Sequence, residues 1–141
     1  MNDIAFHYAL SHLGVPYVWG GNNRLEGMDC GAIVAEVLRS QGLVGPREDM
    51  NAQMLFQRFG GAPSVSPVRG ALVFFGESAQ TVRHVGIALD SRVMLEAGGG
   101  GRGFDRTLIE AKKGMGAMVR LRPIGASSFP HLKTVMPPWP K

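Results

Sequence analysis

A single cysteine, Cys30, occurs in 141 residues. One thiol excludes an intramolecular disulfide and a cysteine-based structural zinc site, so it is free unless modified or paired with another chain. Long apolar runs are missing as well, and none approaches the length that crosses a bilayer. The N-terminus, MNDIAFHYALSHLG, has neither a basic start nor a small-residue cleavage site, so no signal peptide is expected. Basic clusters are sparse: no Lys/Arg run exceeds two residues, and zinc-finger and ribonucleoprotein signatures are absent. That sets nucleic acid aside despite a net charge of +4. No internal repeat, metal-ligand set or cofactor motif stands out. With 45% hydrophobic and 18% charged residues, the chain reads as one globular domain with a single core. Its mild basicity suits a polyanion such as an anionic membrane surface or a bacterial wall.

What is present falls into two textures. Residues 3–13 place Ile4, Tyr8 and the 10–13 stretch on one face and stop at Gly14, which predicts a first helix. Residues 16–27 are loop-like, with Gly20, Gly21, Asn22 and Asn23 as turn formers. Residues 30–41 carry Ile33, Val34, Val37 and Leu38 at the spacing of a buried helix face, ending at Gly42. Asp49 or Asn51 caps a short third helix through Met54, Leu55 and Phe59. Beyond Pro67 the segments ALVFFG, HVGIALD, RVMLEA, a stretch around 104–109, and AMVRLRP are short and β-rich. Asp90 and Ser91 turn the chain between the second and third of them. Helices first and an antiparallel sheet afterwards describe an α+β domain. The proline-rich FPHLKTVMPPWPK reads as a tail lying extended on the surface, dividing the chain into a domain, 1–125, and a tail, 126–141.

The position of Cys30 is more informative than its presence. A lone cysteine is ordinarily a buried structural residue, and such a residue belongs mid-helix, among Ile33, Val34 and Val37. Cys30 instead opens its helix, with Asp29 before it as the expected cap. Unpaired N–H groups and the helix dipole there favour a thiolate, and the amides of Cys30 and Gly31 are placed to bind an oxyanion. Of the four histidines, His7 and His12 lie on the first helix and His131 in the tail. His84 alone starts an apolar strand, where the fold can fix an imidazole as base. On a hairpin around Asp90 and Ser91, Glu96 returns past His84, either to orient its ring or to end the strand in solvent.

PYVWGG, then DC opening a helix, then ALVFFG, HVGIAL and VMLEA together resemble the NlpC/P60 family of papain-like bacterial cell-wall peptidases. The similarity runs from about residue 5 to 97. It implies a papain-like fold with N-terminal helices packed on a C-terminal antiparallel sheet, and cleavage of peptidoglycan stem peptides between D-glutamate and a diamino acid. By that likeness Cys30 is the nucleophile, His84 the base, Glu96 the histidine-orienting residue and Tyr17 the tyrosine beside the thiol. Tyr17, Asp29, Gly31 and Arg83 form the expected substrate-binding and oxyanion set, with no metal and no cofactor. Three positions depart from the family pattern. Gly31 replaces a serine that helps hold the substrate's amino end. Glu96 stands where histidine, asparagine or glutamine is usual. Arg83 precedes the histidine, where a cation lowers the ring's basicity.

The remaining features carry smaller expectations. Gly98, Gly100 and Gly103 satisfy G-x-G-x-x-G, but the FDRTLI that follows is strand-like, so a hairpin loop by the cleft is the better reading. Arg24, Arg102 and Arg106 are of the type that meets stem-peptide carboxylates. Trp19 reads as core, and Trp139 as either docking on a partner or packing back. The alternatives to hydrolysis are a catalytically weak binding module of a phage tail or wall assembly, and an amidase or acyltransferase using the same thiol. Expected partners are peptidoglycan or its fragments and a phage or secretion system, without membrane insertion. Delivery to the wall by such a system is the expected location.

Overall fold

Capping side chains set the helix starts. Asn2 accepts the Ala5 N–H and opens α1, Asp3–Leu10. Two short strands, β1 (Asn22–Asn23) and β2 (Gly27–Met28), pair antiparallel and deliver the chain to α2, Cys30–Ser40. Asp29 caps α2 by accepting the Ala32 N–H at 2.8 Å, and Asn51 caps α3, Ala52–Phe59. Each cap satisfies a donor that the helix start would otherwise leave unpaired. The strands follow: β3 (Leu72–Ser78), β4 (Thr81–Ala88), β5 (Val93–Gly98), β6 (Met118–Pro123) and β7 (His131–Val135). A 3-10 turn, Ile124–Ala126, links the last two. This computed structural model describes residues 1–18, 20–98 and 117–141.

The five long strands form one antiparallel sheet in the order β6-β5-β4-β3-β7. Asp90 builds the β4–β5 turn, its carboxylate accepting the Arg92 and Val93 N–H at 2.7 and 2.8 Å. Helices α2 and α3 pack on β4. Ile33, Val34, Val37 and Leu38 are fully buried in a cluster with Leu72, Phe74, Val85, Ile87 and Leu95. Each large aliphatic or aromatic side chain there contributes roughly 1.5–3 kcal/mol by leaving water. Alternate strand residues turn to the other face, where Val73, Phe75, Ala88 and Met94 form a second cluster. The architecture is the expected α+β one: helices first, packed on a C-terminal antiparallel sheet.

Two readings need correction. Ile4, assigned to the buried face of α1, is 75% exposed, and Ala5 and Ala9 are buried instead. Small residues at i and i+4 let α1 approach α2 closely, and closeness outweighs the apolar size of Ile4. The C-terminal stretch is not a surface tail. His131–Val135 pairs with β3 from Leu72↔Val135 to Phe75↔His131, burying Thr134 and Val135. Trp139 also packs back, its indole N–H donating to the Gly70 carbonyl at 2.8 Å. The prolines at 137, 138 and 140 lie past the strand, where no ladder hydrogen bond is lost.

Candidate active site

Cys30 is the first residue of α2 and half-buried. The cap before it does more than close the helix. The Asp29 carboxylate is faced by the N–H groups of Gly20 and Gly31 as well as Ala32. Burial, aided by the charge of Asp49, holds this carboxyl above its usual range despite those donors. The amides of Cys30 and Gly31, expected to serve an oxyanion, lie in the first turn that this cap closes.

Gly31 has a steric cause that its neighbours in sequence do not reveal. A Cβ built there would lie 2.6 Å from both the Asn51 Cα and the Met50 carbonyl oxygen and 2.7 Å from the Asn51 carbonyl carbon. These are backbone atoms, which cannot rotate aside. The segment entering α3 thus rests directly on the first turn of α2, in the space a serine side chain would occupy.

His84 sits in β4 with its ring largely buried, and β5 brings Glu96 to it. Nε2 of His84 lies 2.7 Å from Glu96 Oε1, which leaves Nδ1 as its other ring nitrogen. Burial alone would depress the ring's basicity. Hydrogen bonds to Cys30 and Glu96, reinforced by their charges, outweigh it and push His84 up to about 9. Both neighbours thus favour the charged form of the ring. Glu96 is completely buried and far from being a solvated strand end. Burial would raise its carboxyl, but the His84 hydrogen bond and charge, then those of Arg120, hold it below the usual carboxylate range.

Arg120 and Arg122 were not anticipated. Arg120 Nε donates to Glu96 Oε2 at 3.0 Å, and Arg122 Nη1 lies 3.6 Å from the same oxygen. Residues 120 and 122 share a face of β6 because strand side chains alternate. The R-x-R spacing in AMVRLRP was the available signal. Phe129 was missed too: it lies 40% exposed with its ring centroid 6.5 Å from that of His84. Phe75 approaches the same imidazole at 5.8 Å.

Other expected residues fall elsewhere. Arg83 follows the alternation to the opposite side of β4 from His84 and pairs with Glu77 at 3.1 Å, both exposed. It neither lowers the basicity of His84 nor joins the site. Tyr17 is buried, and its backbone bridges Met28, two residues before Cys30. His12 is buried, with Nδ1 2.9 Å from the Tyr8 carbonyl, and His131 bonds Thr134. Arg24 donates to the Ser11 carbonyl. Trp19, the glycine stretch 99–103, Arg102, Arg106 and the segment 104–109 lie outside the described residues. Among the described residues no group of three His, Cys, Asp or Glu side chains is placed to hold a metal ion.

A cysteine that opens a helix, a histidine on β4 and a buried glutamate on β5, in that chain order on this fold, meet an independent comparison of the sequence. The NlpC/P60 family profile matches residues 14–113. The chain belongs to the NlpC/P60 family. No curated protein matches the sequence, but solved structures share the fold. The peptidoglycan hydrolase RipB of Mycobacterium tuberculosis superposes with a TM-score of 0.64 at 24% identity, over 97% of this chain and 64% of that one. The NlpC/p60 domain of the peptidoglycan hydrolase SagA gives 0.65 at 23% identity, over 97% of this chain and 100% of that domain. RipD of M. tuberculosis, described as a non-catalytic NlpC/p60 domain protein adapted to peptidoglycan binding, gives 0.62 at 20% identity, over 94% of both chains. This NlpC/P60 chain thus has structural neighbours of both kinds, and its own side chains must decide between them.

Proposed function

We propose that this NlpC/P60 domain is a cysteine peptidase that hydrolyses an amide bond in peptidoglycan stem peptides, with the D-glutamyl–diamino acid bond as the preferred target. The observation that carries the reading is the buried relay from Cys30 through His84 to Glu96, which a module that only binds has no use for. In this mechanism the Cys30 thiolate attacks the amide carbon, and the developing oxyanion takes up the Cys30 N–H. The carbon–nitrogen bond then breaks as the His84 imidazolium gives its proton to the leaving amine. The neutral ring next takes a proton from water, whose oxygen attacks the thioester and releases the new carboxylate and the thiolate. Glu96 stays ionised throughout, keeping the ring oriented and its cationic form favourable. Tyr17 positions the thiol or polarises the carbonyl.

The amino end of the substrate is held differently here than by a serine, since the Met50 and Asn51 backbone fills the space beside Gly31. In this reading the domain acts at the wall, reached by phage-type or secretion-system delivery. No described helix is long and apolar enough to cross a membrane. The test is digestion of purified sacculi and soluble muropeptides by wild type beside Cys30→Ala, with fragments read by liquid chromatography and mass spectrometry. New stem fragments from wild type alone support the proposal. Binding to sacculi without fragments from either protein supports a wall-binding module instead.

A further inference from the structure

Glu96 has two carboxylate oxygens and His84 uses one of them. A buried oxygen without a donor is costly, and the terminal torsion of a glutamate is broad, so one hydrogen bond leaves the group free to turn. The structure supplies the second donor. Arg120 is the direct cross-strand partner of Glu96, and its Nε lies 3.0 Å from Oε2 while Oε1 faces His84. Gly98, two residues along the same face of β5, keeps the seat open. Any side chain there would strike the Glu96 carboxylate, and its Cβ would lie 3.2 Å from the Arg120 guanidinium. Arg122, at 3.6 Å from Oε2, also donates to the Ala126 carbonyl at 2.6 Å, tying the site to the turn that leads to Phe129.

We propose that Arg120 is a positioning residue for the triad, fixing Glu96 by its Oε2 so that Oε1 stays on His84 Nε2, with Arg122 as a supplementary counter-charge. The inference rests on reading the site as a thiol hydrolase. It explains how a carboxylate works at a position where the family more often carries a neutral or imidazole side chain. A neutral amide needs no counter-charge, whereas a buried carboxylate does. Arginine suits the task because it stays protonated and presents a rigid fork. Among the described residues, the groups facing Glu96 are His84 from β4 and Arg120 and Arg122 from β6, with Cys30 of α2 acting through His84.

The experiment is a double-mutant cycle on soluble muropeptides with wild type, Arg120→Ala, Glu96→Gln and the double variant. Each is also followed by the pH titration of the His84 ring in NMR spectra. Arg120→Ala is expected to lower kcat about 10–100-fold, by analogy with partners that orient metal-ligating side chains, with KM little changed. The acid limb of its pH profile moves to higher pH, because Glu96 loses a donor and a cation that keep it ionised. In the Glu96→Gln background the same change is expected to cost under about 3-fold, as no carboxylate remains to hold. Arg120→Lys, which keeps the charge, recovers part of the loss, and Arg120→Gln, which keeps only a donor, recovers less. These two also serve if the alanine variant does not fold. Equal losses in both backgrounds, or a lower melting temperature with unchanged kcat and pH profile, would overturn the proposal. If wild type cleaves nothing, the hydrolase reading fails and the titration decides alone. A His84 titration that responds to Arg120→Ala only when Glu96 is present supports the positioning role, and no response refutes it.

Discussion

Gly31→Ala tests how closely the Met50 and Asn51 backbone rests on the first turn of α2. Gly31 is helical and does not have a positive φ, so alanine is conformationally allowed. On propensity alone the change would stabilise α2 by roughly 0.5–1 kcal/mol. Packing opposes it. The new methyl would lie 2.6–2.7 Å from three backbone atoms of Met50 and Asn51, about 1 Å inside an ordinary carbon contact. Forced overpacking costs typically 1–3 kcal/mol, and the upper half of that range applies because a capped helix entry, not a side-chain tip, must move. The net is a loss of about 1–2 kcal/mol. For a chain of this size that lowers Tm by about 3–8 °C. Thermal unfolding followed by circular dichroism, with urea denaturation as a second measure, reads it directly. An unchanged or raised Tm would show that the 50–51 segment gives way cheaply, and the argument that it displaces a serine would fall with it.

Three other outcomes follow from the same site. Glu96→Ala leaves His84, Arg120 and Arg122 around an empty buried position and is expected to cost about 3–5 kcal/mol, with Glu96→Gln milder; urea midpoints at constant slope check this, and equal mild effects would contradict the buried relay. Arg83→Ala is expected to leave kcat/KM, the His84 titration and Tm unchanged, because its exposed pair with Glu77 is screened by water; a measurable shift in the His84 titration would return Arg83 to the site. His84 is raised in the folded state, so its protonation contributes stability in full below its unfolded value near 6.5 and loses it as pH climbs through about 9. The Tm difference between wild type and His84→Ala is therefore expected to shrink between those limits, and a difference independent of pH would show that the ring is not held as a cation.

Much of this was legible in local pattern. The cap at Asp29, the apolar face of residues 33–38 and the turn at Asp90 are properties of neighbouring residues, and the hairpin they imply carries Glu96 back to His84. What was not legible depends on distant partners. Arg120 meets Glu96 only because β6 pairs with β5 across an intervening stretch of about twenty residues, and no local periodicity names that partner. The reason for a glycine at 31 lies in backbone twenty residues further on. In the last stretch the prolines obscured His131–Val135, where only Thr134 and Val135 are buried and alternation is weak. At α1, apolar size suggested Ile4, while helix–helix proximity selects Ala5 and Ala9.

The central claim is that Cys30 performs an acyl transfer to water, activated by His84 and Glu96. It is tested most directly by digesting a defined stem peptide in heavy-oxygen water, wild type beside Cys30→Ala, with the products weighed by mass spectrometry. The account predicts cleavage by wild type alone, with one heavy oxygen in the new carboxylate of the D-glutamyl fragment. Products from Cys30→Ala, or an intact peptide with a catalytically folded wild type, would contradict it.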